Sequence, residues 1–92
     1  MSNYGVKVLP ITDNFNQYAK SVVEKLEDAG IRVELDDRNE KIGYKIREAQ
    51  MQKVPYMLVV GEKEQSSNKV SVRSREKGDI GVMDIDELLE KM

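Results

Sequence analysis

The run Tyr56-Met57-Leu58-Val59-Val60, closed by Gly61, constrains the fold more than any other stretch of this chain. Successive side chains of a strand point to opposite faces, so an unbroken apolar run needs cover on both. Such a strand belongs in the middle of a largely parallel sheet with helices above and below it. Val54-Pro55 ends any helix that precedes the run. Two helical patterns lie upstream. Phe15, Ala19, Val22, Val23, Leu26 and Ala29 recur at helical spacing, with Thr12 or Asp13 as the cap and Gly30 placed to end the helix. A second helix is expected from about Lys41 to Gln52, with Ile42, Ile46 and Ala49 inward and either an Asp37/Glu40 capping box or Asn39 as its cap. Val6 to Pro10 reads as a short first strand, and Ile31 to Asp36 alternates strictly as a second.

After Gly61, Gln65 to Asn68 reads as a turn and Lys69 to Ser74 as a strand with Val70 and Val72 on one side and Ser71 and Arg73 on the other. Glu76 to Gly81 reads as a polar loop. Asp84 and Glu87 have capping-box spacing before a last helix that stops short at Met92. The expected fold class is therefore α/β: a three-layer sandwich whose mixed sheet has a parallel β-α-β-α-β core, added antiparallel strand(s) and three helices. Residues 1–5 are expected to be a disordered or appended terminus, and residues 6–92 a single domain.

Composition removes several chemistries. With no Cys and no His in 92 residues, disulfides, thiol nucleophiles, Ser-His-Asp triads and Cys/His zinc sites are excluded. A cytoplasmic setting fits the lack of disulfides. Net charge is −2, so the average field does not attract nucleic acid. Two local stretches, Lys41 to Lys53 and Lys69 to Lys77, each carry four bases and one acid. No segment is long and apolar enough to span a membrane.

Open α/β sheets bind ligands beyond the carboxyl ends of their strands. Here those ends are Pro10-Ile11-Thr12, Asp36 to Lys41, and Gly61 to Glu64. The amino end of the second helix lies there too, with free N–H groups. No G-x-G-x-x-G or Walker loop is present, and no acid pair stands out as catalytic. The hydrogen-bonding groups left near these ends are Asn39, Lys41, Arg47, Glu64 and Arg73. Arg and Asn read base edges in pairs and Glu accepts from exocyclic amines, which suits a reader of splayed single-stranded bases. Each also has an ordinary role as a cap, a surface cation or a turn residue. The residues themselves leave open an RNA reader, a small-ligand module and a protein-interaction domain.

The segment from Asp37-Arg38-Asn39-Glu40-Lys41-Ile42-Gly43 to Gln50, continued by Val54 to Glu64, closely resembles the carboxy-terminal anticodon-binding domain of bacterial threonyl-tRNA synthetase. Gly30-Ile31-Arg32-Val33 before it and Lys69 to Arg73 after it extend the likeness over nearly the whole chain from about Val6. The resemblance implies recognition of the anticodon loop of threonine tRNA. The positions matching the family's anticodon contacts are Asn39, Lys41, Arg47, Glu64 and Arg73, with the guanine and uracil of the last two anticodon positions as targets. Arg73 is expected on the guanine edge, Glu64 and Asn39 on neighbouring base edges, and Lys41 and Arg47 on backbone or base. Asp37 and Glu40 are expected to cap the second helix. No cofactor, catalytic residue or metal is expected in this chain; ATP, Mg and Zn belong to the family's catalytic domain, the expected partner. No DNA or membrane partner is implied. The chain is expected to be one domain of a longer ligase, with a stand-alone paralogue or a redesigned domain as the alternative.

Overall fold

In the computed structural model, which describes residues 5–91, Tyr56–Val60 is the central strand of a five-stranded sheet, β3 in chain order. It pairs in parallel with β1 (Val6–Pro10), Val6 lying opposite Tyr56 and Pro10 opposite Val60. Beyond β1 lies β2 (Val33–Leu35), also parallel. On its other side β3 pairs antiparallel with β4 (Val70–Ser74), which pairs antiparallel with β5 (Gly78–Met83).

Side-chain alternation sorts the strands into two cores and so into three layers. Val6, Val8, Leu58, Val60, Val70 and Val72 face α1 (Asn16–Asp28) and α4 (Ile85–Lys91) through Ala19, Val22, Leu26, Ile85 and Leu88. Leu9 and Met57 face α2 (Ile42–Met51) through Ala49, with Val54, Ile42, Ile46 and Val59 around them. Gly30 ends α1 at φ +84°, a conformation that costs a residue without Cβ little. Residues 1–4 and Met92, where the expected terminus and the end of the last helix fall, lie outside the described residues.

Several expectations are corrected. Gln65 to Asn68 is not a plain turn, because Glu62–Ser67 forms a short helix, α3. Gly61 precedes it in extended conformation, and the Glu64 carboxylate accepts the Gly61 N–H at 2.9 Å. Asn68 ends it in the left-handed region at φ 60°. The polar stretch from Glu76 to Gly81 is mostly strand. Ser74 Oγ accepts the N–H groups of Glu76 and Lys77 at 3.2 and 3.3 Å, which closes the hairpin turn ahead of β5. A register shift between Val72, opposite Gly81, and Arg73, opposite Asp79, leaves Ile80 unpaired beside Gly81, whose φ is +106°. β5 is an edge strand with a wet face, so its composition reads as a loop. Ile31 to Asp36 shortens to three paired residues. Thr12 precedes a single 3₁₀ turn, Asp13–Phe15, without a side-chain cap bond.

α2 starts within one residue of the expected Lys41, but its expected cap is overturned. Lys41 is its N-cap, no side chain caps it, and neither Asp37, Asn39 nor Glu40 fills that role. By contrast, the Asp84 carboxylate accepts the Glu87 N–H at 2.7 Å, as the spacing implies. Asp84→Ala is expected to lower stability by about 1 kcal/mol and the melting temperature by about 4–8 °C. Thermal denaturation followed by circular dichroism checks this; an unchanged midpoint would show the cap to be idle.

Candidate nucleic-acid interface

The strand order places the chain's reversal between β1 and β3, and beyond the carboxyl ends there the structure has an open depression. Ile11 and Thr12, just after β1, form one side. Asn39 to Tyr44 and Arg47, from the loop before α2 and its first turns, form the rest. The floor is apolar, with Ile11 36% and Tyr44 49% exposed. Asn39, Lys41 and Arg47 stand around it, all exposed to solvent. Among the described residues, none of these three side chains has a hydrogen bond or ion pair. Their donors are therefore available to a ligand.

The other two expected site residues stand apart from this group. Glu64 is half-buried and holds the Gly61 N–H; a Cβ at Gly61 would lie 2.4 Å from Ile11 Cδ1 and 3.3 Å from Glu64 Oε1. Glu64 thus lies beside Gly61, outside the lining of the depression, with acceptor capacity left on its carboxylate. Its charge, after burial, helps raise the Tyr18 hydroxyl above its ordinary pKa. Arg73 does not line the depression. It sits on β4 opposite Met57, and so on the α2 side of the sheet. Because α2 packs on β1 and β3, Ser71 and Arg73 on that side of β4 are half-buried rather than covered.

Five residues that shape the site were given no site role from the sequence: Lys45, Asp36, Arg38, Glu48 and Tyr44. Lys45 is 1% exposed, and its Nζ donates to the carbonyls of Pro10 at 3.0 Å and Asp36 at 3.3 Å. It ties the ends of β1 and β2 to α2. Asp36 is 5% exposed and accepts both arms of the Arg38 guanidinium, at 2.9 and 2.8 Å. Arg38 also reaches Glu48 on α2, and the Tyr44 hydroxyl donates to the other Glu48 oxygen at 3.2 Å. Their signal in the sequence is thin: i, i+3 spacing from Ile42 puts Lys45 on the inward stripe, but a charge there ordinarily argues against burial.

The hydrogen bonds from Arg38 hold the Asp36 and Glu48 carboxyls below their ordinary values of 3.8 and 4.5. A depressed carboxylate stabilises the fold above its unfolded pKa, and that stability is lost as pH falls through the folded value. The melting temperature is therefore expected to be insensitive to this cluster above about pH 5. Below the ordinary values of 4.5 and 3.8 its contribution declines. Calorimetry of the wild-type chain and of Arg38→Gln across this range checks it, and parallel curves would rule the cluster out.

The chain belongs to the Anticodon binding domain family, whose profile matches residues 5–92. Its curated relatives are threonine–tRNA ligases. It is 66% identical over 84 residues to that of Clostridioides difficile (strain 630), covering 91% of this chain and 13% of the relative. It is 61% identical over 87 residues to that of Clostridium tetani (strain Massachusetts / E88), covering 95% of this chain and 14% of the relative. The fold is similar to the crystal structure of the RNA binding domain of threonyl-tRNA synthetase from Cryptosporidium parvum Iowa II. There the TM-score is 0.91 at 36% identity, over 98% of this chain and 23% of that one. The chain thus spans only 13% and 14% of the length of the first two relatives. Among the described residues no group of three His, Cys, Asp or Glu is placed to hold a metal ion, and no helix is long and apolar enough to cross a membrane.

Proposed function

We propose that this chain reads the anticodon loop of threonine tRNA for an aminoacylating catalytic domain that lies outside it. The observation that carries the reading is the ring of Asn39, Lys41 and Arg47 around an apolar floor at the strand ends, in a chain of this family. Apolar and aromatic surface suits the face of an unstacked base, while Asn and Arg donors suit base edges and Lys suits phosphate. In this reading the loop enters at the depression, meets Glu64 beside Gly61 and continues over the uncovered side of β4 to Arg73. The guanine and uracil of the last two anticodon positions are its targets. The chain alone does not charge tRNA. ATP, Mg and Zn would act in the catalytic domain, in a cytoplasmic enzyme.

The test is binding to a threonine anticodon stem-loop and to the same stem with a scrambled loop, at fixed salt. The cognate loop is expected to bind more tightly, and equal affinities would sink the reading. Asn39→Ala and Arg73→Ala are each expected to lower discrimination by about 1–3 kcal/mol. Lys41→Ala is expected to weaken both loops alike and to reduce the salt slope by about one.

A further inference from the structure

Arg38 is the one cation of the Asp37–Lys41 segment whose charge is already engaged. Its Nε and one terminal nitrogen grip the buried Asp36 carboxylate as a fork, at 2.9 and 2.8 Å, and its own N–H donates to Asp36 Oδ1 at 3.3 Å. The same terminal nitrogen bonds Glu48 on the second turn of α2. Its guanidinium lies 5.7 Å from the centroid of the Tyr44 ring, and Glu48 in turn accepts the Tyr44 hydroxyl. Two carboxylates thus meet one guanidinium, and little field is left for a phosphate. Arg38 instead folds the loop. Its carbonyl accepts the Glu40 N–H at 2.9 Å, closing a three-residue turn with Asn39 at the apex.

The geometry points to Arg38 and Glu48 as a clamp that positions Asn39 and Tyr44 for the ligand without touching it. Asp36 anchors one end of the clamp in the sheet and Glu48 the other on the helix. Asn39 is presented between them, and the half-exposed Tyr44 ring is held against the floor of the depression by its hydroxyl. This rests on the anticodon reading above. A contact that must be held in a narrow range of geometry loses specificity first when its support is removed.

The sign of a charge change separates a clamp from a phosphate contact. Glu48→Gln makes the surface less negative and removes one of the two carboxylates on Arg38, leaving the fork to Asp36. If Arg38 touched phosphate, that variant would bind both loops more tightly. A clamp predicts the opposite: in Glu48→Gln and in Arg38→Gln, discrimination between the threonine and scrambled stem-loops falls about tenfold, on the scale of one base contact. The salt slope stays at the wild-type value in both variants, and amide exchange at Glu40, whose N–H is held by the Arg38 carbonyl, speeds up while exchange in β3 does not. Unchanged exchange in β3 shows that the variants are folded. Tighter binding by Glu48→Gln, or a salt slope reduced by about one in Arg38→Gln, overturns the clamp and makes Arg38 a direct contact. Wild-type discrimination retained in both variants overturns it as well. A wild-type chain that does not discriminate overturns the anticodon reading instead, and the exchange rate at Glu40 then still reports whether the clamp orders the turn.

Discussion

Lys45→Ala is expected to cost about 3–5 kcal/mol of folding stability, of about 5–14 kcal/mol available to a chain of this length. Lys45 is buried at 1% exposure near the amino end of α2, where a cation is opposed by the helix dipole. It is held there by the carbonyls of Pro10, the last residue of β1, and Asp36, the residue after β2, and it helps keep the Asp36 carboxyl low in pKa, after the larger effects of Arg38. Removing the side chain leaves a cavity, two buried carbonyls without their donor and a buried carboxylate with one cation fewer. Lys45→Met separates these effects. It refills most of the cavity and leaves the carbonyls unpaired, so about 1–3 kcal/mol of loss is expected to remain. Urea titrations of the three proteins check both numbers. A Lys45→Met variant as stable as the wild type would show that water or the backbone satisfies those carbonyls. The same substitution is expected to blunt loop discrimination, because Ile11 and Thr12 follow Pro10 and the Asp37–Lys41 loop follows Asp36.

This residue also marks how far the sequence is legible. Patterns that express burial alone come through: the apolar run of β3, the α1 stripe, the inward Ile42, Ile46 and Ala49, and the order of the parallel strands. Elements held by a few local hydrogen bonds do not. α3 rests on Glu64 holding Gly61 and on a left-handed Asn68, and its residues, Glu62 to Ser67, include no buried side chain that could give a helical stripe. β5 is an edge strand interrupted by Gly81. At the site, position was legible and contact was not. Strand-end topology located Asp37 to Lys41, but the spacing that resembles a capping box there serves no cap. Arg38 is instead claimed by Asp36 and by Glu48, ten residues along. A partner at that separation depends on where α2 packs, which no local pattern encodes.

Leu58→Ala is expected to destabilise the chain by about 3–4 kcal/mol, and Met57→Ala by about 2–4 kcal/mol, each within the usual range for emptying a packed core position. The two side chains are neighbours in sequence and fully or almost fully buried, at 0% and 1% exposure, yet they belong to different cores. Comparable losses from both are what a doubly covered central strand requires. A loss below about 1 kcal/mol at Met57 would mean that the α2 layer contributes little. Function distinguishes the pair further. Leu58 packs toward α1 and α4, away from the depression. Met57 packs on Leu9 and Ala49, beneath the helix that carries Tyr44, Lys45, Arg47 and Glu48 and is preceded by Lys41, and beside the strand position of Arg73. At a temperature where both variants are folded, Leu58→Ala is expected to keep the wild-type preference for the threonine loop. Met57→Ala is expected to lose part of it, because a loosened α2 no longer holds its first turns against the ends of β1 and β2. Equal retention of preference by both variants would show that the site's geometry is set by the polar ties at the strand ends alone.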